Sequence, residues 1–318
     1  MALLAVGCST MAYLFWRLDA RAIWGNVSKI GMGMCLILLL PVVDHALNAL
    51  GWMFSFNRKD AAGLSYWRLV MIRIAGDGVN YLTPSATIAG EVVRPAMLGG
   101  ALSGDAKIAS VVIARFTQSL GQALFIMVGL LIVVGCPIPL IDRFPLMVFI
   151  RHWIAVPIAV LAFTLAAIAV YTLRALRGGG RASPKAVSIG RWASVKSEIG
   201  DYFVEHPGRF AVSTVVFTLS YFWGCMEIFL ICFFMGTAVT PIIALAIEAL
   251  SSTLDGVMFM VPAKIGTQEA GKTAIFTGLG YPASQGFALG LIRHIRELIW
   301  ASAGLLLYAL HRRRIEKS

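Results

Sequence analysis

Two pairs of carboxylates occur in this chain with the same spacing and the same neighbours. Asp77 and Glu91 in the first half correspond to Asp255 and Glu269 in the second half, each 178 positions later. A carboxylate in an apolar stretch costs on the order of 3 kcal/mol to place in a membrane unless a cation or a proton compensates it. Such groups are therefore candidates to take up protons as a cavity changes its exposure.

Basic residues recur at the same separation. Arg94 and Lys272 lie one helical turn after the two glutamates, and Arg115 and Arg293 lie on the apolar runs that follow. At positions i and i+3 of a helix, each glutamate shares a face with its base and is able to form an ion pair. Because guanidinium matches the geometry of phosphate, these bases are also candidates to bind an anionic headgroup.

A proline lies midway between the two acids of each copy, at Pro84 and Pro262. In a hydrophobic chain, such a duplicated element is typical of a substrate site at the interface of two repeats. The alternative is that the charged groups are fixed ion pairs and that the aspartates, each followed by glycine, are turn or cap residues.

On the last apolar run, Arg296 and Glu297 share a helical face with Arg293. The candidate residues for substrate binding or coupling are Asp77, Asn80, Pro84, Glu91, Arg94, Arg115, Asp255, Pro262, Glu269, Lys272, Arg293, Arg296 and Glu297.

Four other polar residues in apolar runs have no counterpart at this separation. They are Asp44, His45, Asn48 and Glu227. Hydrogen bonding between helices suffices to explain them, so they rank below the repeated residues.

The composition indicates what must position these groups. Of the 318 residues, 58% are hydrophobic and only 14% are charged, whereas a soluble domain has about a quarter charged residues. The chain therefore needs lipid as its solvent. The chain has a formal net charge of +11. Its basic residues cluster in loops between apolar runs, and this distribution indicates membrane topology and not nucleic-acid binding. The five cysteines and five histidines lack ligand spacing, so we expect no metal, no cofactor and no disulfide framework.

Apolar runs predict an all-α polytopic protein with about six transmembrane helices. Two further stretches, at about 66–100 and 242–281, are apolar but broken, and they carry the duplicated motif. We predict that both are re-entrant helical hairpins, because irregular backbone at membrane depth survives only where it lines a cavity or is buried in protein. For the first stretch, an ordinary cytosolic loop is the alternative. The predicted spans are Met1–Trp16, Ile30–Phe56, Lys107–Gly135, His152–Leu173, Phe210–Gly236 and Gln285–Leu310.

Lysine and arginine residues set the predicted topology. The basic linker 174–208 and the C-terminal tail belong in the cytoplasm. Counting crossings places Arg58–Lys59 inside and Arg17–Lys29 outside, the latter as an interfacial amphipathic helix. Three crossings separate the two hairpins, so we predict that residues 1–173 and 209–318 form two halves of opposite orientation.

The first motif, with Asn80, Pro84, Gly90, Glu91 and Arg94, resembles the lysylphosphatidylglycerol synthase transmembrane-region superfamily of flippase-like proteins. The second motif, Val261 to Glu269, is similar to that family's second element. The C-terminal pattern, Arg293-x-x-Arg296-Glu297-x-x-Trp300, is most similar to its branch of hopanoid-biosynthesis-associated membrane proteins.

The resemblance implies a lipid flippase or transporter in a bacterial inner membrane. Implied substrates are an anionic or aminoacylated phospholipid, an isoprenoid phosphate or a hopanoid. Some relatives carry an aminoacyl-transferase domain that this sequence lacks, so we expect no lipid aminoacylation. Two alternatives stay open: an integral-membrane lipid-modifying enzyme that uses a glutamate as base, and a scaffold that holds lipid-biosynthesis enzymes at the basic linker. The expected partners are membrane lipids, with a homo-oligomer and lipid-biosynthesis enzymes as further options.

Overall fold

The computed structural model of the protein describes residues 2–83, 89–100, 102–135, 191–257 and 261–315. All regular elements within these ranges are helical. The first half contains α1 (Ala2–Arg17), α2 (Ala20–Ser28), α3 (Gly33–Phe54), α4 (Arg58–Ala62), α5 (Tyr66–Leu82), α6 (Ala89–Met97) and α7 (Gly104–Gly135). The second half contains α8 (Arg191–Glu205), α9 (Pro207–Met235), α10 (Pro241–Val257), a 3-10 helix (Pro262–Lys264), α11 (Thr267–Gly278) and α12 (Ala283–Ile315).

Three of these helices are long and apolar enough to cross a membrane: α3, most of α7, and α9. They confirm the spans predicted at Ile30–Phe56, Lys107–Gly135 and Phe210–Gly236. The chain is therefore an α-helical polytopic membrane protein.

The described helices establish three of the six predicted crossings and leave the other three as predictions. Helix α1 has 16 residues, fewer than the roughly twenty that a span needs. Helix α12 has 33 residues, but its apolar run is interrupted by Arg293, Arg296 and Glu297. The predicted span His152–Leu173 lies outside the described residues. A count of six thus remains a prediction.

The helices of the two halves correspond to one another. A shift of 178 positions places α3 on α9, α5 on α10, α6 on α11 and α7 on α12. The helix packing follows the same correspondence: α3 packs against α9, while α5 packs against α12 and α10 packs against α7. Exchanging the halves maps these contacts onto one another, which is what a twofold relation requires. The first motif helix of each half, α5 or α10, therefore lies against the last long helix of the other half, whereas α6 and α11 contact the last long helix of their own half.

Glycines set how closely the motif helices approach their neighbours. A Cβ atom at Gly304 of α12 would overlap the carbonyl oxygen of Ile74, and Gly78 of α5 lies beside the same crossing. A Cβ atom at Gly90 of α6 would likewise overlap the carbonyl oxygen of Gly76 on α5. Small residues at the interface of two membrane helices let the helix backbones approach closely, as these glycines do. The close contact fixes the side chains of the two helices relative to each other.

The end of α3 is held by the start of the second half. Arg209 Nε donates to the carbonyl oxygen of Phe56 at 2.8 Å, and its Nη2 donates to that of Met53 at 2.7 Å. The Tyr202 hydroxyl donates to the carbonyl oxygen of Phe54 at 2.7 Å. These donors satisfy carbonyls that a helix end leaves without an intrahelical partner. Burial raises the pKa of the Tyr202 phenol, so the hydroxyl stays a donor at neutral pH.

Helix α2 is amphipathic, as the sequence predicts for this segment. Ile23 is buried against the bundle, whereas Trp24 is 69% exposed. Asp19 accepts from the Arg21 amide at the start of the helix, which is an N-cap interaction. An exposed tryptophan beside basic residues suits a membrane interface.

Candidate functional site

Asp77 of α5 lies at the centre of the first charge cluster. Arg94 Nη2 lies 2.6 Å from its Oδ1, and Arg73 Nε lies 3.2 Å from its Oδ2. His45 Nδ1 is 3.5 Å from the same Oδ2. Arg73 and Arg94 are 4% and 3% exposed, so both guanidinium groups are buried and depend on this carboxylate.

Glu91 forms the ion pair predicted at i and i+3. Arg94 Nη1 donates to its Oε2 at 2.7 Å and to its Oε1 at 2.8 Å. Arg94 therefore bridges Glu91 on α6 to Asp77 on α5. Arg115 on α7 lies 3.9 Å from Glu91. Asn80 has a structural role here, because its Oδ1 accepts from the Gly90 amide at 2.6 Å at the start of α6.

A hydrogen-bonded network continues from Arg73 towards the second half. Arg73 Nη2 donates to Asn48 Oδ1 and to Gln118 Oε1, each at 3.2 Å. Asn48 Nδ2 donates to the Ser220 hydroxyl at 2.8 Å, which joins α3 to α9. Ser220 in turn donates to Asp44 at 2.5 Å. Asp44 and Asn48, which rank low on sequence criteria, therefore lie in the interface between the halves.

The second charge cluster centres on Arg293 of α12. Its guanidinium lies 2.8 Å from Glu248 on α10 and 3.1 Å from Glu227 on α9. Arg296 binds Glu227 at 2.5 Å and Glu297 at 3.2 Å. The glutamates that hold Arg293 are only 4% and 8% exposed. Three helices are thus joined by a buried network of alternating charges.

Gly224 makes room for this network. A Cβ atom at Gly224 of α9 would lie 2.6 Å from Glu248 Oε1, which is closer than atoms of this kind pack. Glu248 therefore reaches Arg293 across a part of α9 that carries no side chain.

The second motif turns through an unusual backbone. Ala263 and Lys264 have positive φ angles of 50° and 52°, a left-handed conformation that costs roughly 1–2 kcal/mol for each residue that has a Cβ atom. The turn places Lys264 Nζ 2.7 Å from Asp255 Oδ2. Their side chains are 36% and 35% exposed, so this ion pair is more accessible than those of Arg293. Pro262 begins the 3-10 helix.

Glu269 does not form the ion pair with Lys272 that its spacing allows. Its carboxylate, which is 0% exposed, accepts from the Gly266 amide at 2.9 Å and lies 2.9 Å from His294 Nδ1. The reason is that Gly290 lets α12 approach the backbone of α11 at Glu269. This approach brings His294 within reach and turns the carboxylate away from Lys272.

Lys272 is buried but not paired in the described part of the chain. It is 3% exposed, and no carboxylate oxygen of a described residue lies within 4.0 Å of its Nζ. A buried charge without a partner is strongly unfavourable, so another state or ligand must favour a base at this position.

A polar cavity of about 210 Å³ lies between the two halves. A second cavity of about 120 Å³ adjoins it and shares Pro41, Asp44, Asp77, Arg296 and Glu297. The charged residues that line the larger cavity come from both halves: Asp44, Arg73, Asp77, Glu227, Glu248, Asp255, Lys264, Arg293, Arg296 and Glu297.

Some of the predicted site residues line the larger cavity, and others lie outside its lining. Five line the larger cavity: Asp77, Asp255, Arg293, Arg296 and Glu297. Asn80, Glu91, Arg94, Arg115, Glu269 and Lys272 are not part of its lining. Arg94 holds the lining residue Asp77 through an ion pair, and Glu91 in turn binds Arg94. Pro84 lies outside the described residues.

Sequence reasoning did not identify several residues of the cavity. Arg73, Ser220, Glu248 and Lys264 line it but have no acidic or basic counterpart at the repeat separation, and Gln118, whose counterpart is Arg296, is itself uncharged. For Arg73 a local signal existed, since it lies four residues before Asp77 and shares its helical face. For Glu248 no local signal existed, because its partner Arg293 is 45 positions away.

The lining of the larger cavity has more acidic than basic side chains. Six carboxylates and four bases line it. Each of these bases lies within 4.0 Å of a carboxylate: Arg73 of Asp77, Lys264 of Asp255, and Arg293 and Arg296 of Glu227. An anionic group would compete with these carboxylates for the bases. The cavity therefore suits a group that carries positive charge, alone or together with a negative one.

Comparison with known proteins gives one family. A family model described as the lysylphosphatidylglycerol synthase TM region matches residues 1–305. No curated protein and no solved structure matches the chain.

Proposed function

The chain belongs to the lysylphosphatidylglycerol synthase transmembrane-region family, and on this basis we propose that it is a transporter that moves a lipid between the two leaflets of a bacterial inner membrane. Membership makes it a membrane protein of lipid metabolism. The step from there to transport rests on the cavity described above.

The observation that carries the proposal is a charged cavity between two repeated halves of an apolar bundle. Charged side chains inside a membrane protein are costly and mark pathways for polar substrates. In carriers built from two repeats, the substrate site lies where the repeats meet. Here Asp77 from the first motif and Asp255 from the second line the same cavity.

In the proposed mechanism, the headgroup enters this cavity while the acyl chains stay in the surrounding lipid. The two motifs form re-entrant hairpins of opposite orientation, α5 with α6 and α10 with α11, and each opens the cavity to one leaflet in turn. The accessible Lys264–Asp255 pair is suited to exchange partners with a headgroup, because it is less buried than the other pairs. Arg94 and Glu91 keep the first motif assembled during the cycle.

Among the substrates that the sequence suggests, an aminoacylated phospholipid agrees best with the cavity. Its ammonium group would meet the excess of carboxylates, and its phosphate would meet a guanidinium released from its partner. A headgroup with phosphate alone would leave the displaced carboxylate without a counter-ion, which is unfavourable in a low dielectric.

Reconstitution tests the proposal. Purified protein in liposomes with a fluorescent aminoacylated phosphatidylglycerol should expose the inner-leaflet label to an added membrane-impermeant quencher faster than empty liposomes do. Asp255→Asn and Lys264→Gln should each slow this flipping at least tenfold, because each removes one partner of the accessible ion pair. Asp201→Asn is the matched control, since Asp201 lies exposed on α8 away from the cavity. Wild-type protein that flips no faster than empty liposomes would overturn the proposal.

Lipid mass spectrometry separates transport from chemical modification, the second function open to this family. A deletion strain of a transporter should keep all lipid masses and change only how a lipid is distributed between the leaflets. Loss of one lipid mass, restored by the wild-type gene, would instead indicate a lipid-modifying enzyme.

A further inference from the structure

Asp44 is a carboxylate inside the membrane-spanning part of the bundle without a basic partner. It lies near the middle of α3, one of the helices able to cross a membrane. Among the described residues, no lysine, arginine or histidine nitrogen lies within 4.0 Å of its carboxylate. Every other acid that lines the larger cavity forms such a pair.

The bases that line the larger cavity bind other carboxylates. Arg73 binds Asp77 at 3.2 Å, and Arg296 binds Glu227 at 2.5 Å. Asp44 instead receives two neutral donors on Oδ1, the Ser220 hydroxyl at 2.5 Å and the Asn48 amide at 3.1 Å. Neutral donors orient the carboxylate but supply no positive charge to balance it.

Asp44 lines both cavities. In the smaller cavity, His45 Nδ1 lies 3.5 Å from Asp77 Oδ2, and the Tyr81 hydroxyl interacts with the Glu297 carboxylate. Among the described acids that line this cavity, Asp44 is therefore the one without a base within 4.0 Å.

The walls of the smaller cavity suit a cation. Asp44, Asp77 and Glu297 supply carboxylates, and Tyr81 and Trp300 supply aromatic rings. Arg296 also lines the cavity, and its guanidinium is paired with Glu227 and Glu297. Aromatic faces attract ammonium groups and other cations within about 6 Å. The Trp300 indole is held in place, since its Nε1 donates to the carbonyl oxygen of Leu38 at 3.0 Å. A volume of about 120 Å³ accommodates a small cationic group with some water.

We propose that Asp44 binds a monovalent cation in each transport cycle, which arrives either as the ammonium group of the lipid headgroup or as a free alkali cation. The inference rests on the transport function proposed above, but the site itself is defined by the structure. Its role is to supply the counter-charge that lets a positive group cross the middle of the bilayer.

Cation-dependent melting of the purified protein in detergent tests the site. Ethanolamine hydrochloride and sodium chloride are titrated separately, with N-methyl-D-glucamine chloride holding the ionic strength constant. A cation that binds the folded protein raises its melting temperature. We expect at least one of the two salts to stabilise the wild type. In Asp44→Asn the half-saturating concentration should rise at least about tenfold, as expected when a hydrogen bond to a charged group is lost.

Two further variants control for folding and for general charge effects. Asp44→Glu keeps the charge and should keep most of the response, and Asp201→Asn on α8 should behave like the wild type. Stabilisation by ethanolamine alone would identify the headgroup ammonium as the ligand. Stabilisation by sodium at equal or lower concentration would identify a free cation.

Two outcomes overturn the site. If neither salt stabilises the wild type, or if Asp44→Asn responds as the wild type does, Asp44 binds no cation. The flipping assay keeps this result separate from the transport proposal. Protein that flips lipid without any cation response retains its transport function and loses the site, whereas a cation response without flipping retains the site alone.

Discussion

At the residue scale, the two copies of the motif use the same residue types in different pairings. Arg94 binds both acids of its own motif, Asp77 and Glu91. Its counterpart Lys272 binds neither of the equivalent acids, because Asp255 is held by Lys264 and Glu269 lies beside His294. The repeated residues thus carry the same charges in both halves, but they form different ion pairs in each half. In the proposed cycle, this difference leaves the second motif free to exchange partners.

The unpaired lysine gives a prediction at this scale. Lys272→Met should raise the melting temperature, because it replaces a buried charge that has no counter-ion by an apolar side chain of similar length. Lys264→Met should lower the melting temperature, since it leaves the mostly buried Asp255 without its partner. Differential scanning fluorimetry of both variants in detergent checks the pair. If Lys272→Met melts below the wild type, a ligand or a group outside the described residues compensates Lys272.

At the element scale, glycines decide which helices carry the site. Gly78 and Gly304 let α5 and α12 meet at their backbones, and Gly76 and Gly90 do the same for α5 and α6. Gly290 lets α12 approach the backbone of α11 in the same way. The repeat equivalents of Gly76 and Gly90 are Leu254 and Gln268, so α10 and α11 cannot approach as α5 and α6 do. The difference between the two motifs is therefore encoded in the sequence.

Overpacking one crossing tests this account. Gly304→Ala should destabilise the protein by roughly 1–3 kcal/mol, because its Cβ atom would overlap the Ile74 carbonyl on α5 and neither backbone is able to yield locally. Gly25→Ala in α2 meets no atom within 4 Å and should be neutral or slightly stabilising. Melting temperatures of the two variants give the comparison. Equal stability of the two variants would mean that the α5–α12 crossing is looser than described.

At the scale of the whole molecule, the two halves are related so that the first helix of each motif, α5 or α10, packs on the last helix of the other half. A twofold relation with its axis in the membrane plane would make the repeat inverted, as the count of crossings predicts. In that arrangement the two motifs enter from opposite sides and meet at the cavity. The linker 174–208, of which residues 191–208 are described, is predicted to lie in the cytoplasm in this arrangement.

Cysteine labelling in whole cells tests this topology. In a variant without native cysteines, Lys29→Cys should react with a membrane-impermeant maleimide added outside, whereas Lys59→Cys should react only after the membrane is opened. Arg313→Cys in the C-terminal segment should behave like Lys59→Cys. Labelling of Lys29→Cys and Lys59→Cys from the same side would exclude the inverted arrangement, because α3 would then not cross the membrane.

The sequence alone determines the membrane class, the duplicated motif and five of the ten charged residues that line the larger cavity, because these depend on composition and spacing. It also predicts the local Glu91–Arg94 pair, since residues three apart on a helix meet regardless of the fold. Only the tertiary structure decides that Arg293 lies between Glu227 and Glu248, that Glu269 lies beside His294, and that Asp44 stays unpaired in the cavity. A buried charge binds whichever partner the crossing helices bring within a few ångströms, and the crossings are set by backbone contacts between segments far apart in the chain.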